Sequence, residues 1–163
     1  MPKILVVDDD LSLLEIIRLR LKASGFEVAP ASSGADALKI LEDEVFDAAV
    51  LDMKLEEETG LELFSEIKKI DSELPVIFLT AYGTIDEAVE AMRLGAFGYL
   101  AKPFDNRELV LHVEKAVEKH NISRENRKLR AILAQTVIAG QIIGRSEPMR
   151  RLNEQIVLAA SSN

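Results

Sequence analysis

In ILVVDDD, residues 4–10, four apolar residues lead directly into three carboxylates. An uninterrupted apolar run rich in β-branched residues predicts a strand that is buried on both faces. Acids crowded at one point repel one another, and burial increases that repulsion. The carboxylates of Asp8, Asp9 and Asp10 therefore need a compensating positive charge where this strand ends.

Strand-like and helix-like segments alternate outward from this stretch over the first 105 residues. Four more segments predict strands: FEVAPA (26–31), FDAAVLDM (46–53), LPVIFLTA (74–81) and AFGYLAKPF (96–104). Helical patterns lie between them, and Gly25 and Gly95 are expected to end two of the helices. The order βαβαβαβαβα, with strands that do not alternate in polarity, predicts an α/β fold with a doubly wound parallel sheet covered on both faces.

Each of the first four helical patterns carries an apolar face, and several polar residues are candidate helix caps. Asp10, Ser32 or Ser33, and the DNRE capping box at 105–108 precede helices. The apolar faces comprise Leu11, Leu14, Ile17 and Leu21; Ala37, Leu38 and Leu41; Leu63, Ile67 and Ile70; and Ala88 with Met92.

Composition limits the classes of function. The chain has 163 residues, is 48% hydrophobic and 29% charged, and contains no cysteine, so disulfides and thiolate metal sites are excluded. Residues 1–105 hold 10 Lys and Arg against 22 Asp and Glu, whereas residues 106–163 hold 10 against 6. The acidic block is a poor nucleic-acid surface. The apolar runs are too short for a membrane helix and no signal peptide is evident, so we expect a cytoplasmic protein without a membrane contact.

Polar side chains follow four of the predicted strands. They are the acids 8–10, Asp52, Thr80 and Lys102, and the carboxyl ends of parallel strands share one edge, where ligands bind. Mg²⁺ prefers carboxylates, waters and phosphate oxygens, so the acids predict a Mg²⁺ site beside a phosphoryl group. A carboxylate there can act as a nucleophile toward phosphorus, with the threonine hydroxyl and the lysine as contacts to its oxygens. Taken singly, each of these residues has a simpler structural or solvated role.

Residues 1 to about 120 resemble the receiver domain of two-component response regulators. The matching stretches are ILVVDDD (4–10), AAVLDM (48–53), PVIFLTAYG (75–83) and GAFGYLAKPF (95–104). The resemblance implies a flavodoxin-like, five-stranded parallel sheet of order 2-1-3-4-5. It also implies Mg²⁺-dependent phosphorylation by a sensor histidine kinase.

The resemblance assigns roles at the phosphorylation site. Asp52 is the phosphoacceptor and a metal ligand, and Asp8 and Asp9 form the acidic pair that holds Mg²⁺. The backbone carbonyl of Lys54 completes the protein ligands of the metal. Asp10 has no role in this set and is either a helix cap or a water-mediated neighbour of the cation.

Further roles concern the switch. By resemblance, Thr80 is the switch hydroxyl, Tyr99 is the switch aromatic and Lys102 contacts the phosphoryl group. The Lys102–Pro103 peptide is expected to be cis. Phosphorylation adds about two negative charges, toward which Thr80 is expected to move, leaving space that Tyr99 fills by turning inward.

The loop after the phosphoacceptor departs from the family pattern. Receivers often have a Met-Pro pair there, but DMKLEEETG (52–60) has Leu55 and Glu56, while Gly60 keeps its usual distance. Losing the proline is expected to loosen the loop. The charges of Glu56–Glu58 either weaken binding of an anionic donor or tighten binding of the cation, and both alternatives stay open.

The chain after the receiver has a helical pattern. No Gly or Pro occurs between Asn106 and Ala139, so a long helix is predicted. Within it, Ile122, Asn126, Leu129 and Leu133 fit heptad d and a positions. A buried Asn at an a position favours a parallel dimer in one register. A coiled-coil homodimer is therefore expected, with a single amphipathic helix as the alternative, and the receiver is expected to take part in the homodimer together with the linker helix.

The last segment, QIIGRSEPMRRLNEQIVLAASSN (141–163), resembles the beginning of the AAA+ ATPase domain of NtrC-like, sigma-54-dependent transcription activators. No G-x-x-x-x-G-K-[ST] phosphate loop occurs, so no ATPase activity is expected from this chain. We divide the sequence into a receiver (1–120), a helical linker (121–140) and the start of the ATPase domain (141–163). The full-length protein is expected to act with sigma-54 RNA polymerase and DNA, without DNA contact from this part.

Three alternatives to this interpretation remain. A receiver can control a different effector. Aspartate-nucleophile phosphatases share a similar sheet, but their D-x-D-x-[TV] motif would place Thr or Val where Ser12 stands, and Asp52 would be unexplained. A nucleotide-binding sheet would have a Gly-rich turn after the first strand, and none is present.

Overall fold

The computed structural model describes residues 1–81 and 85–143, and within these ranges five strands alternate with five helices as the sequence predicted. The strands are β1 (Lys3–Val7), β2 (Glu27–Ala31), β3 (Ala48–Asp52), β4 (Val76–Thr80) and β5 (Gly98–Ala101). The helices are α1 (Leu11–Ala23), α2 (Gly34–Asp43), α3 (Gly60–Ile70), α4 (Ile85–Arg93) and α5 (Asn106–Ile143).

The five strands form one parallel sheet in the order β2-β1-β3-β4-β5. This arrangement confirms the predicted doubly wound α/β fold of the flavodoxin-like type. The strand order reverses beside β1, so β1 and β3 flank the point at which helices change from one face of the sheet to the other. Ligands of such sheets bind at this point, beyond the carboxyl ends of the strands.

The three inner strands, β1, β3 and β4, are buried on both faces, which explains their continuous apolar sequences. In β1, residues 4–7 are all fully buried. Leu5 and Val7 belong to a core cluster that includes residues of α2 and α3, whereas Ile4 and Val6 belong to a second cluster with residues of α1 and α5. β1 is therefore held from both sides, and this fixes the position of the acids that follow it.

Most of the helix ends follow the predicted capping chemistry, and of the predicted DNRE capping box the structure shows the Asp105 half, whose Oδ1 accepts the N–H of Arg107 at 3.0 Å. Asp10 caps α1, because its Oδ1 accepts the backbone N–H groups of Ser12 and Leu13 at 3.1 and 3.2 Å. Ser33, the second of the two candidate serines, caps α2. Gly25 and Gly95 follow α1 and α4 with φ of +95° and +102°, a conformation that glycine adopts without strain. The helix-cap interpretation of Asp10 is thereby confirmed.

Three apolar residues on the predicted helix faces are exposed instead of buried. Leu11 is 67% exposed, Ile70 is 45% exposed and Met92 is 43% exposed. Leu11 and Ile70 are terminal residues of α1 and α3, so they lie outside the span of helix that covers the sheet. α4 buries only the small side chains of Ala88 and Ala91, and this narrow contact leaves Met92 in solvent.

The chain divides into two compact units, Met1–Asn121 and Ile122–Asn163. In the second unit the described part is the helical stretch to Ile143. Of the segment that resembles the start of an ATPase domain, 141–143 end α5 and the remainder lies outside the described residues. No helix in the described ranges is both long and apolar enough to span a bilayer.

Candidate functional site

Three carboxylates meet at the carboxyl edge of the sheet, next to the point where the strand order reverses. Asp8 and Asp9 follow β1, and Asp52 is the last residue of the neighbouring strand β3. One oxygen from each of the three lies within 4.8 Å of the others. This all-oxygen donor set fits a hard divalent cation such as Mg²⁺, which also compensates the repulsion between the acids.

Lys102 connects two of these acids across the sheet. Its Nζ lies 3.2 Å from Asp8 Oδ2 and 3.2 Å from Asp52 Oδ2. Burial lowers the pKa of Lys102, but the charges of both carboxylates and their hydrogen bonds raise it by more, so the pKa lies above its ordinary value. The lysine is therefore a fixed positive charge between Asp8 and Asp52.

Asp8 is the most deeply buried of the three acids, with no exposed surface. Burial raises the pKa of its carboxyl above the ordinary value, and the charge of Asp52 adds to this effect. A hydrogen bond from Asp10 N–H to Asp8 Oδ1, at 2.9 Å, and the attraction of Lys102 oppose it. The ionised form of Asp8 is thus short of compensating charge, as expected of a carboxylate that binds a cation.

Two backbone segments fix the position of Asp52: the residues that follow it in the chain and the beginning of α3. The side chain is nearly buried, and its Oδ1 accepts the N–H of Lys54 at 3.3 Å. Gly60, the first residue of α3, lies so close behind that a Cβ would collide with the carbonyl oxygen of Asp52 and come within 2.9 Å of Met53 Cα. Its N–H donates to Met53 O at 2.7 Å.

Gly60 is a residue whose role sequence reasoning did not identify. Only the absence of a side chain lets the beginning of α3 approach the end of β3 this closely. The sequence signal for such a close approach is a glycine at the first position of a helix. Ser, Thr and Pro are common near a helix start because they cap it or fit its first turn, whereas glycine has a capping role only at the cap position itself.

Thr80 ends β4 and is buried, with 3% of its surface exposed. Its hydroxyl donates to the carbonyl of Leu100 in β5 at 3.4 Å, a long and weak bond. Tyr99, on the same strand, is 43% exposed. In this conformation the Thr80 hydroxyl is engaged with β5 and the Tyr99 ring faces solvent.

The position of Lys102 is set by the backbone around it. Its N–H donates to Thr80 O at 2.7 Å, which continues the pairing of β4 with β5 by one residue. The peptide between Lys102 and Pro103 is cis. The lysine, the threonine and the three acids therefore all stand at one edge of the sheet.

The loop between β3 and α3 carries Lys54, whose carbonyl was expected to bind the metal. Lys54 and Thr59 form an isolated antiparallel bridge, and Leu55 N–H donates to Glu58 O at 3.1 Å. Leu55 also packs against the core cluster on the α2 and α3 side. The loop lacks the family proline, yet hydrogen bonds close it and an apolar side chain anchors it.

The heptad residues of the predicted linker are spaced along one stripe of α5. Ile122 is 54% exposed and Leu129 is 57% exposed, and Asn126 is also exposed. Leu133 is half-buried. Apolar side chains with this exposure are available to a second helix.

The sequence profile described as the response regulator receiver domain matches residues 4–114. This chain belongs to the response regulator receiver family of two-component systems, and the family predicted from the sequence is confirmed.

Individual relatives are transcription regulators. The transcriptional regulatory proteins GlrR and ZraR of Escherichia coli (strain K12) are each 38% identical to this chain, over 160 and 162 residues. Both matches cover 98% of this chain but only 34% and 35% of the relatives, so the chain spans about a third of their length. These matches support the prediction of a receiver from an NtrC-like transcription regulator.

Solved structures agree with this assignment. A receiver domain protein from Clostridium thermocellum is 36% identical, with a TM-score of 0.72 over 75% of this chain and 98% of that one. NtrX from Brucella abortus, solved in complex with ATP, is 33% identical, with a TM-score of 0.75 over 85% of this chain and 34% of that one.

Proposed function

We propose that this chain is a phosphorylation-controlled switch in which Asp52 accepts a phosphoryl group from a sensor histidine kinase. The observation that carries the proposal is the position of the Asp52 carboxylate, which lies beside the acidic pair Asp8 and Asp9 and 3.2 Å from the cation of Lys102. A bond forms between an Asp52 oxygen and phosphorus while the bond from phosphorus to the donor histidine nitrogen breaks, and that nitrogen keeps the electron pair.

Mg²⁺ is the proposed cofactor, held by Asp8, Asp9, Asp52 and the backbone carbonyl of Lys54. When bound, it supplies positive charge that offsets the acids and the phosphoryl oxygens. The three carboxylates and their repulsion support this assignment. In the same proposal Lys102 contacts one phosphoryl oxygen and exchanges its ion pair with Asp52 for that contact.

The proposed switch uses Thr80 and Tyr99. The Thr80 hydroxyl leaves its weak bond to Leu100 O and donates to a phosphoryl oxygen, which offers a charged acceptor in place of a neutral one. The space that it leaves beside β5 admits the ring of Tyr99, which is half exposed beforehand. Phosphorylation thereby biases the surface of α4 and β5 between two states.

The proposed output is transcription activation with sigma-54 RNA polymerase. Residues 1–120 form the receiver, 121–140 a linker that dimerises as a coiled coil, and 141–163 the beginning of an ATPase domain. The apolar stripe of Ile122 and Leu129, and the similarity to the transcriptional regulatory proteins GlrR and ZraR, support this division. We propose further that the unphosphorylated dimer restrains the ATPase and that the protein acts in the cytoplasm.

Incubation with acetyl phosphate and Mg²⁺, followed by intact-protein mass spectrometry, tests the central proposal. The expected result is the gain of one phosphoryl mass, absent when Mg²⁺ is chelated and absent in Asp52→Asn. Steady release of phosphate from phosphomonoesters without a trapped adduct would instead indicate an aspartate-nucleophile phosphatase and overturn the assignment.

A further inference from the structure

The side chain of Glu58 is folded against the beginning of α2. Its Oε1 occupies the space beside Gly34 that a Cβ on that residue would fill. The neighbouring acids Glu56 and Glu57 are exposed, so Glu58 is the member of this run that turns inward. A side chain at position 34 would expel the carboxylate.

The start of α2 is a suitable place for a carboxylate. Gly34 is the first residue of the helix, after the cap Ser33, and a helix N-terminus carries partial positive charge. Burial raises the pKa of Glu58 above its ordinary value, and the charges of Glu62, Glu57 and Glu66 raise it further. The side chain therefore lies against α2 despite its burial and despite the repulsion of its neighbours on the loop and on α3.

The same residue closes the loop that leaves the phosphorylation site. The carbonyl of Glu58 accepts the N–H of Leu55 at 3.1 Å, and Lys54 pairs with Thr59 in the bridge beside it. Lys54 N–H in turn donates to Asp52 Oδ1. A continuous path of short contacts thus runs from α2 through Glu58 to the backbone of Lys54.

We propose that Glu58 is a positioning residue for the metal site: its contact with Gly34 ties the β3–α3 loop to α2 and so fixes the Lys54 carbonyl toward the cation. In this loop it takes over the constraint that proline supplies in related receivers. The inference rests on the proposed function, because the Lys54 carbonyl is a ligand only if Asp52 and its neighbours hold Mg²⁺.

Gly34→Ala is the decisive variant, because it displaces the Glu58 carboxylate without changing any charge. The flexible end of Glu58 can move aside, so the fold is expected to persist. We expect the Mg²⁺ affinity, measured by amide chemical-shift titration of the full chain, to fall about tenfold, as for residues that orient metal ligands. Glu58→Ala should weaken the affinity by a similar factor, and the double variant should be no weaker than either single one.

Glu57→Ala is the matched control, since it removes one charge from the exposed tip of the same loop. It measures the loss of affinity that comes from charge alone, which is expected to be smaller than that of Glu58→Ala. Wild-type affinity in Gly34→Ala would overturn the inference. If Gly34→Ala failed to fold, equal losses in Glu57→Ala and Glu58→Ala would overturn it in the same way.

The phosphorylation assay separates this inference from the proposed function. If the wild-type chain is phosphorylated at Asp52 with Mg²⁺ and Gly34→Ala matches it at limiting Mg²⁺, only the role of Glu58 is wrong. If the wild-type chain gains no phosphoryl mass, the proposed function itself is wrong. Slower phosphorylation of Gly34→Ala at limiting Mg²⁺, restored at saturating Mg²⁺, is the expected result.

Discussion

Lys102 Nζ lies 3.2 Å from Asp52 Oδ2, although Asp52 ends β3 and Lys102 follows β5, two strands that are not neighbours in the sheet. β4 lies between β3 and β5, so the lysine reaches across the end of β4 to meet the carboxylate. The side chain is only 26% exposed, which reduces the screening of its charge by solvent. Under the proposed function, the pair places a cation where charge would develop on a phosphoryl group attached to Asp52.

Replacing Lys102 with Met should destabilise the fold, because Lys102 offsets the repulsion between Asp8 and Asp52. Asp8 and Asp52 lose their shared partner and keep the hydrogen bonds from the N–H groups of Asp10 and Lys54. The loss of a hydrogen bond to a charged group costs about 1.5–3 kcal/mol. We expect the free energy of unfolding in the absence of Mg²⁺, measured by chemical denaturation, to fall by an amount in this range. Phosphorylation by acetyl phosphate should also slow.

Lys102→Arg is the control, because it keeps the positive charge of the side chain and changes only its shape. It keeps the cation, so stability near that of the wild type is expected, but its planar guanidinium differs from the point charge of an ammonium. If Lys102→Met proved as stable as Lys102→Arg, the ion pairs with Asp8 and Asp52 would contribute nothing measurable to the fold.

Thr80→Ala should uncouple phosphorylation from the switch. The weak bond to Leu100 O contributes little, so the fold and the modification of Asp52 should persist. Without the hydroxyl, no hydrogen bond draws the end of β4 toward the phosphoryl group. The chemical shifts of the Tyr99 ring should therefore barely change when beryllofluoride, a mimic of the phosphoryl group, is added. Thr80→Ser, which keeps the hydroxyl, is the control and should respond; an undiminished shift in Thr80→Ala would contradict the proposed route.

The sequence was sufficient to predict the sheet and the edge at which the site lies. The apolar runs marked the strands, and the acids, Thr80 and Lys102 each stood where a strand ends. Because parallel strands end at one edge, their meeting followed without knowledge of any distance. The spacing could not predict which of these side chains form ion pairs, such as those of Lys102 with both Asp8 and Asp52.

The sequence did not predict the burial of residues near the ends of helices or the conformation of the loop after β3. Helical periodicity marks Leu11 and Ile70 as apolar-face residues, but it contains no information about the length of helix that covers the sheet. The packing of Glu58 on Gly34 depends on a loop conformation, and three consecutive glutamates offer no signal as to which one turns inward. Tertiary packing decides these positions.

Asp9→Asn should stabilise the chain without metal and weaken metal binding. The substitution removes one of three mutually repelling carboxylates. We expect the melting temperature in a chelator to rise slightly, while the Mg²⁺ affinity measured by chemical-shift titration falls by at least about tenfold, or about 1.4 kcal/mol. Asp10→Asn keeps a capping side chain outside the metal set and serves as the control, with affinity close to that of the wild type.

Leu129→Ser should convert the proposed linker dimer to a monomer. Leu129 occupies a heptad d position and is 57% exposed on α5, so a partner helix would bury it. Sedimentation velocity of the full chain, with and without beryllofluoride, measures the change. Arg127→Ser alters an outward b position and should leave the dimer intact; a wild-type chain that is monomeric in both states would contradict the coiled coil.

The buried carboxyl of Asp8 makes the stability of the chain depend on pH. Its folded-state pKa is raised, chiefly by burial, so the folded chain binds its proton more tightly than the unfolded chain does. Below the unfolded pKa this contribution to stability is fully present, and it is lost as the pH rises through the folded pKa. In a chelator, the wild type should therefore lose stability relative to Asp8→Asn as the pH rises through this window.

Mg²⁺ should reverse that loss, because it binds the ionised carboxylate and competes with the proton. The stabilisation by a fixed excess of Mg²⁺ is expected to grow as the pH rises through the same window and to be largely absent in Asp8→Asn. Denaturant titrations at a series of pH values, each with metal and with chelator, measure both effects. A wild-type stability that rises relative to Asp8→Asn in the chelator would show that Asp8 is already compensated in the fold, with Lys102 sufficient as its partner.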